Sequence, residues 1–398
     1  MAGAALQKQK TGPKINAMPG GFKLLRIAGI RIQIDFSWFI IFFLLLWSLS
    51  AGYFPHAFPR EPEAVYWGAG LAATLLFFAS VLIHELAHSL VAIRHGLRIP
   101  SITLFIFGGV SQLSEEAKDP ASELKIAIAG PLSSIVLAGA FYGLKLLLSY
   151  AGLFRSHPIF GAVLGYLALI NGALAVFNLI PGFPLDGGRA LRAVYWKKKG
   201  SFSKATKLAS DIGKTVAVIL IIAGGLEVLA GVLIGGLWLV FIGIFLRSVA
   251  QSGYQDVILR AFLNSNHVAD IMVHDVVKVS PDMPLDRLAR DFFLHYGYKG
   301  FPVFDDGTPV GLVSLADIRG IPENVLPAKT VQEVMTPLND DIVISPETPL
   351  SQAFARMRQD GRLLVMAGGR FLGLITKTGL MRFLEIKKIL EEEERKET

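Results

Sequence analysis

The chain's 398 residues are 52% hydrophobic and only 18% charged, with several apolar runs near the length that crosses a bilayer, which excludes an ordinary soluble globular protein. The net charge of +7 does not point to nucleic acid, because the lysines and arginines cluster beside the apolar runs, as in the loops of a polytopic membrane protein. With no cysteine in the chain, disulfides and thiolate metal sites are excluded, and any metal must be held by His, Asp or Glu.

Residues 1–33 read as a polar tail, and the apolar run that follows lies too far in and is too long for a cleaved signal sequence, so it is a retained span. Six spans are predicted, at roughly 34–53, 64–93, 122–150, 159–180, 212–231 and 233–250, making residues 34–250 a membrane-embedded domain. Lys and Arg number 6 before the first span, 3 in 94–123 and 7 in 189–207, against one, one and none in the alternate loops. By the positive-inside rule both termini are cytoplasmic, as for a multi-pass protein of the cell membrane.

The second span carries "VLIHELAHSL". His84 and His88 stand at i and i+4 on one helix face, about 6 Å apart, close enough for both imidazoles to reach one divalent ion with Glu85 beside it. A metal so held polarises a carbonyl and acidifies its water, and a glutamate there can take the water's proton, which is amide-hydrolase chemistry. A charged group at mid-bilayer costs roughly 2.5 to 3.5 kcal/mol even on lenient scales, so metal binding is favoured over a structural pair of histidines. At 1.5 Å per residue His84 lies about 15 Å from Arg94, inside the bilayer on the cytoplasmic side.

Between the second and third spans, "RIPSITLFIFGGVSQLSEE" is β-branched and aromatic, holds Gly108 and Gly109, and is too short to cross twice as helix. It reads as a re-entrant hairpin or loop, with an ordinary interfacial loop as the alternative. A transmembrane substrate hides its carbonyls in internal hydrogen bonds, so a strand edge beside the metal could bind it unwound by β-addition.

The fourth span ends in "NLIPGFPLDGGR", where Pro181 and Pro184 break the helix. Unwound backbone at membrane depth must line a cavity or be buried in protein. On spacing alone Asp186 is either a third metal ligand or the cap of the helix that follows. Glu227 in the fifth span reads as a buried or snorkelling residue rather than a catalytic one. Arg189 and Arg192 read as positive-inside anchors, and His95, His157, His267, His274 and His295 as surface histidines.

"HELAH" followed two spans later by "NLIPGFPLDG" resembles the site-2 proteases, intramembrane zinc metalloproteases that pair H-E-x-x-H with N-x-x-P-x-x-P-x-D-G. The resemblance covers about 34–250. It implies His84, His88 and Asp186 as Zn2+ ligands, Glu85 as general base and Asn178 close to the oxyanion, and it supports Gly108 and Gly109 as part of a substrate-binding edge.

After residue 250 the composition becomes that of a soluble α/β protein, reached through a short linker at 251–263. Residues 264–390 contain an internal repeat, 264–323 and 326–390, each copy reading as helix, short strand, helix, strand, turn, strand, helix, before a charged tail at 391–398. The copies resemble CBS domains, which pair and often bind adenine nucleotides between them. The resemblance implies that Ser314 and Asp317, in "GLVSLADI", meet the phosphate and ribose of ATP or AMP. In the second copy "GLITKTGL" keeps Thr376 but has Gly379 where the aspartate would stand. A pair that binds no ligand and serves as a homodimer contact or docking module is the alternative.

The expected fold is therefore a polytopic α-helical membrane protein of about six transmembrane helices with a re-entrant β segment, joined to a cytoplasmic α/β tandem CBS domain. The expected function is an intramembrane zinc endopeptidase that cleaves transmembrane segments of other membrane proteins within the lipid bilayer, modulated by adenine nucleotide. Rival readings are a CBS-regulated ion or metal transporter and an inactive scaffold. The fixed His/His/Asp set with a non-ligand glutamate favours hydrolysis.

Overall fold

Residues 22–33, expected as tail, fold with Ile34 as a hairpin in the computed structural model: β1 (Phe22–Ile27) pairs antiparallel with β2 (Ile30–Ile34). Its two-residue turn needs φ > 0 at both central positions, and Ala28 at +50° and Gly29 at +83° supply them. The alternation that makes these strands is short and runs straight into the first apolar span, which hid it. The structure describes residues 21–106, 108–111, 117–154, 158–357, 361–383 and 385, so the expected tail 391–398 and His157 lie outside the described residues.

The chain divides into two units, Met1–Gln255 and Asp256–Thr398. In the first, Asp35 ends β2 and caps α1 (Phe36–Ala57), its carboxylate accepting the Ser37 N–H at 2.9 Å. Then come α2 (Glu63–Arg94), β3 (Ser101–Phe105), β4 (Gly108–Ser111), α3 (Pro120–Tyr150), α4 (Pro158–Asn178), α5 (Asp186–Lys199), α6 (Phe202–Leu229) and α7 (Leu233–Ser265). All but α5 among these helices are long and apolar enough to cross a membrane, six spans among the described residues. Many of their large apolar side chains face outward, as lipid-facing walls do.

The segment expected to re-enter is the antiparallel hairpin β3–β4, and β3 also runs parallel to β2, giving one sheet in the order β1-β2-β3-β4. Ile30, Ile32 and Ile102 pack with Ala92, Leu97 and Ile126, fastening the sheet to the end of α2 and the start of α3. The Asp35 N–H donates to the Leu104 carbonyl and the Ile106 N–H to the Ser37 hydroxyl, so the tip of the hairpin is tied to the start of α1.

In the second unit, β5 (Gly300–Asp305) and β6 (Thr308–Ser314) belong to the first repeat, and β8 (Val343–Ile344), β9 (Arg362–Ala367) and β10 (Arg370–Thr376) to the second. The repeats exchange edges: β7 (Thr336–Pro337), after the second repeat has begun, pairs with β6, while Val273 of the first bridges to Leu374 of the second. Leu312, Leu364 and Leu374 close the seam between them. Two local readings need correction. The segment read as a linker is helical, because α7 continues to Ser265 and lodges Phe262 and Leu263 in the second repeat's core. The helix expected after β6 is a run of turns through Leu315–Gly320, where Gly320 has φ +88° and breaks it.

Candidate metal centre

Seven residues singled out in the membrane domain line one cavity of about 650 Å³: His84, Glu85, His88, Gly108, Gly109, Asn178 and Asp186. The histidines come from α2, and both are buried. Asp186 is the first residue of α5, but Leu185 occupies the cap position, so the aspartate side chain is free to reach inward. It does. Asp186 Oδ2 lies 3.2 Å from His84 Nε2 and 3.1 Å from His88 Nε2, and the two Nε2 atoms are 3.2 Å apart.

Glycines bring Asp186 there by letting backbone approach backbone. A Cβ on Gly187 would lie 2.2 Å from the Leu179 carbonyl oxygen, one on Gly188 2.3 Å from the Gly182 carbonyl carbon, and one on Gly213 of α6 1.9 Å from the Phe183 oxygen. The unwound stretch after α4 is thus packed against α5 and α6 through Gly182 and Phe183, and Pro184 and Leu185 also line the cavity.

Helix α3 holds the imidazoles from behind. His88 Nδ1 donates to the Ile126 carbonyl at 2.6 Å, so in the neutral ring Nε2 carries its lone pair toward Asp186. His84 Nδ1 is 2.9 Å from the Ser134 hydroxyl. Between these contacts a Cβ on Gly130 would sit 2.0 Å from His88 Nε2 and 2.6 Å from His84 Nε2, so only glycine leaves room for the pair. The sequence reading missed Ser134, Gly130 and the Ile126 carbonyl. The signal was "IAGPLSS", small and polar residues in the middle of a span.

Arg189 and Arg192, expected as anchors at the membrane surface, both reach the buried carboxylate of Glu123 instead, Arg189 Nε at 3.2 Å. Arg192 also lies over the Phe202 ring at 4.7 Å. This buried cluster joins the first turn of α3 to α5 and so fixes the helix that presents Asp186. At the surface, the Asp119 carboxyl that caps α3 is held below the usual carboxylate range by the Ser122 hydroxyl and N–H. Glu227 is half-buried and has no ion-pair partner among the described residues.

The donor set fits a small divalent cation. One carboxylate and two imidazoles meet in a triangle of 3.1–3.2 Å sides. The spacing of two ligands on a tetrahedral zinc with bonds of about 2.0–2.1 Å is about 3.3 Å. Glu85 stands beside the set without being one of its three members. Ser314 and Asp317 lie in the other unit and are joined to each other, Asp317 Oδ2 accepting the Ser314 N–H at 2.7 Å and its hydroxyl at 2.9 Å.

Known proteins match along both units. The model of Peptidase family M50 matches residues 72–160 and 155–222, and that of the CBS domain matches 268–323 and 331–386. A protein named putative zinc metalloprotease Rip3 from Mycobacterium tuberculosis is 34% identical over 380 residues, covering 94% of this chain and 96% of its own. A zinc metalloprotease of Methanocaldococcus jannaschii is 33% identical over 371 residues, covering 93% and 98%. Among solved structures, a site-2 protease from Methanocaldococcus jannaschii aligns with 58% of this chain and 94% of its own at 30% identity and a TM-score of 0.42. Relatives that run nearly the whole length of both proteins, and a family match spanning the HELAH helix and the aspartate loop, lead to one conclusion: the chain belongs to peptidase family M50, the zinc metalloproteases of site-2 type, and carries a tandem CBS pair.

Proposed function

We propose that the chain cleaves transmembrane segments of other membrane proteins within the bilayer, with His84, His88 and Asp186 holding zinc and Glu85 as general base. One observation carries the reading: three ligand atoms, 3.1–3.2 Å apart, converge in a cavity whose wall also includes Glu85 of the HExxH helix. Zinc held there supplies a Lewis acid for the scissile carbonyl and for the attacking water. Glu85 takes the water's proton and returns it to the leaving amine, the ordinary work of a carboxylate so placed. Asn178, on the cavity wall at the end of α4, is the side-chain amide available to donate to the oxyanion.

The substrate's backbone has to be extended before it can be cut. Strand β4 has β3 as its one partner among the described strands, and a Cβ on Gly109 would lie 2.3 Å from Glu85 Cγ, so the strand passes in contact with the proposed base. Gly108 and Gly109 on that strand are the proposed substrate-binding positions, receiving the unwound segment by β-addition. The basic loops favour cytoplasmic termini and a cell-membrane location, with a cytoplasmic product.

In the CBS pair, Ser314 and Asp317 are the proposed contacts for ATP or AMP, and nucleotide binding there modulates cleavage. The pair also offers a homodimer contact. Purified chain in vesicles, incubated with candidate single-span substrates, tests the whole reading: cleavage within the span should stop on chelation and return with zinc. Cleavage that persists through complete zinc removal contradicts it.

A further inference from the structure

Strand β1 is exposed along its whole length, yet its sequence FKLLRI is not that of a water-facing strand. In its register with β2, Phe22 stands opposite Ile34, Leu25 opposite Ile32 and Ile27 opposite Ile30, and residues so paired share a face. The three β2 isoleucines are buried, whereas Phe22, Leu25 and Ile27 are 53%, 46% and 36% exposed. The apolar face of the sheet therefore runs on past the protein core.

Where it leaves the core it joins the wall of the first span. The Phe22 ring lies 5.0 Å from that of Phe36 and 6.1 Å from that of Phe39, in the first turn of α1, and these are themselves 60% and 36% exposed. The opposite face of β1 carries Lys23 and Arg26, with Arg31 directly across from Arg26. No acidic residue lies between Phe22 and Ile34. We infer that β1 lies in the membrane interface, its Phe22, Leu25 and Ile27 face in lipid and its Lys23 and Arg26 face on acidic headgroups.

Two arguments select lipid over other occupants. The apolar face is continuous with the lipid-facing surface of α1, and the charge behind it complements an anionic leaflet. Depth is limited as well: among the described strands β1 pairs only with β2, and an open strand edge is not tolerated in the hydrocarbon core, which leaves the interface. Because β1 and β4 are opposite edges of one sheet, the contact would also set the level at which β4 passes Glu85; that consequence rests on the proposed substrate strand, whereas the lipid contact does not.

The absence of cysteine permits a direct test. In the full chain carrying Glu85→Gln, so that no cleavage enters the readout, single Leu25→Cys, Ile27→Cys, Lys23→Cys and Arg26→Cys variants are spin-labelled. They are placed in phosphatidylcholine vesicles with or without phosphatidylglycerol. Labels at 25 and 27 should collide several-fold more often with oxygen, which partitions into lipid, than with a water-soluble nickel chelate. Labels at 23 and 26 should show the reverse, and phosphatidylglycerol should deepen 25 and 27. Chelate access at all four sites would overturn the inference. So would shielding of 25 and 27 from both reagents, which would mean that residues 1–20 or a second copy of the chain covers the face.

Discussion

Two carboxylates in this chain meet polar partners of opposite kind. Asp186 converges on imidazole nitrogens, and in the neutral ring the His88 nitrogen facing it carries a lone pair, because the proton sits on Nδ1, which donates a hydrogen bond to the Ile126 carbonyl. Asp317 meets donors, the N–H and hydroxyl of Ser314. The first carboxylate faces a His88 lone pair that a bound cation would relieve, whereas the second is already satisfied within its own loop. A ligand at the first site removes repulsion, and one at the second must work around or replace existing hydrogen bonds. Large effects of mutation are therefore expected in the membrane cleft and small ones in the CBS pair.

The strongest break of this contrast is Glu85→Gln. The amide is nearly isosteric but cannot accept a proton, so cleavage of a membrane substrate should fall by about 100-fold or more while bound zinc stays near the wild-type level. A rate equal to wild type would remove Glu85 from the mechanism. Ser134→Ala should act more mildly and on the metal rather than on the chemistry. It takes away the partner of His84 Nδ1, and losing such an orienting contact weakens metal affinity by roughly 10- to 100-fold. Chelator competition reads this directly, Ser134→Thr should restore it, and cleavage at saturating zinc should survive. An unchanged affinity would mean that packing around Gly130 alone aims the ring.

The smallest effects belong to the CBS pair. Asp317→Ala should weaken ATP or AMP binding by about tenfold, roughly the worth of one hydrogen bond to a charged group. Thr376→Ala should cost less, since the Thr376 hydroxyl already accepts the Gly379 N–H at 2.9 Å and the second copy lacks the carboxylate. Calorimetric titration of the full chain separates the two. Equal losses would make the copies equivalent and erase the asymmetry.

The same contrast sets what could be read from the sequence. His84, Glu85 and His88 were legible because one helix turn places them, and local periodicity carries that information. Asp186 was not: spacing left it between a ligand and a helix cap. Its position depends on glycine approaches, at Gly187 and Gly188 within the folded-back loop and at Gly213 from α6, which no residue spacing reports. Ser134 and Glu123 act across helices, where no local pattern reports them. The spans were legible through hydropathy, but the β1–β2 hairpin merged with the first apolar run, and the helical continuation of α7 looked like a linker because its polarity changes while its backbone does not.

The central claim is that His84, His88 and Asp186 form one zinc site, and metal content tests it most directly. Purified wild-type chain should carry close to one zinc per molecule, and His84→Ala, which removes one corner of the 3.1–3.2 Å triangle, should carry little or none under the same purification. Equal zinc in the two proteins would contradict the assignment.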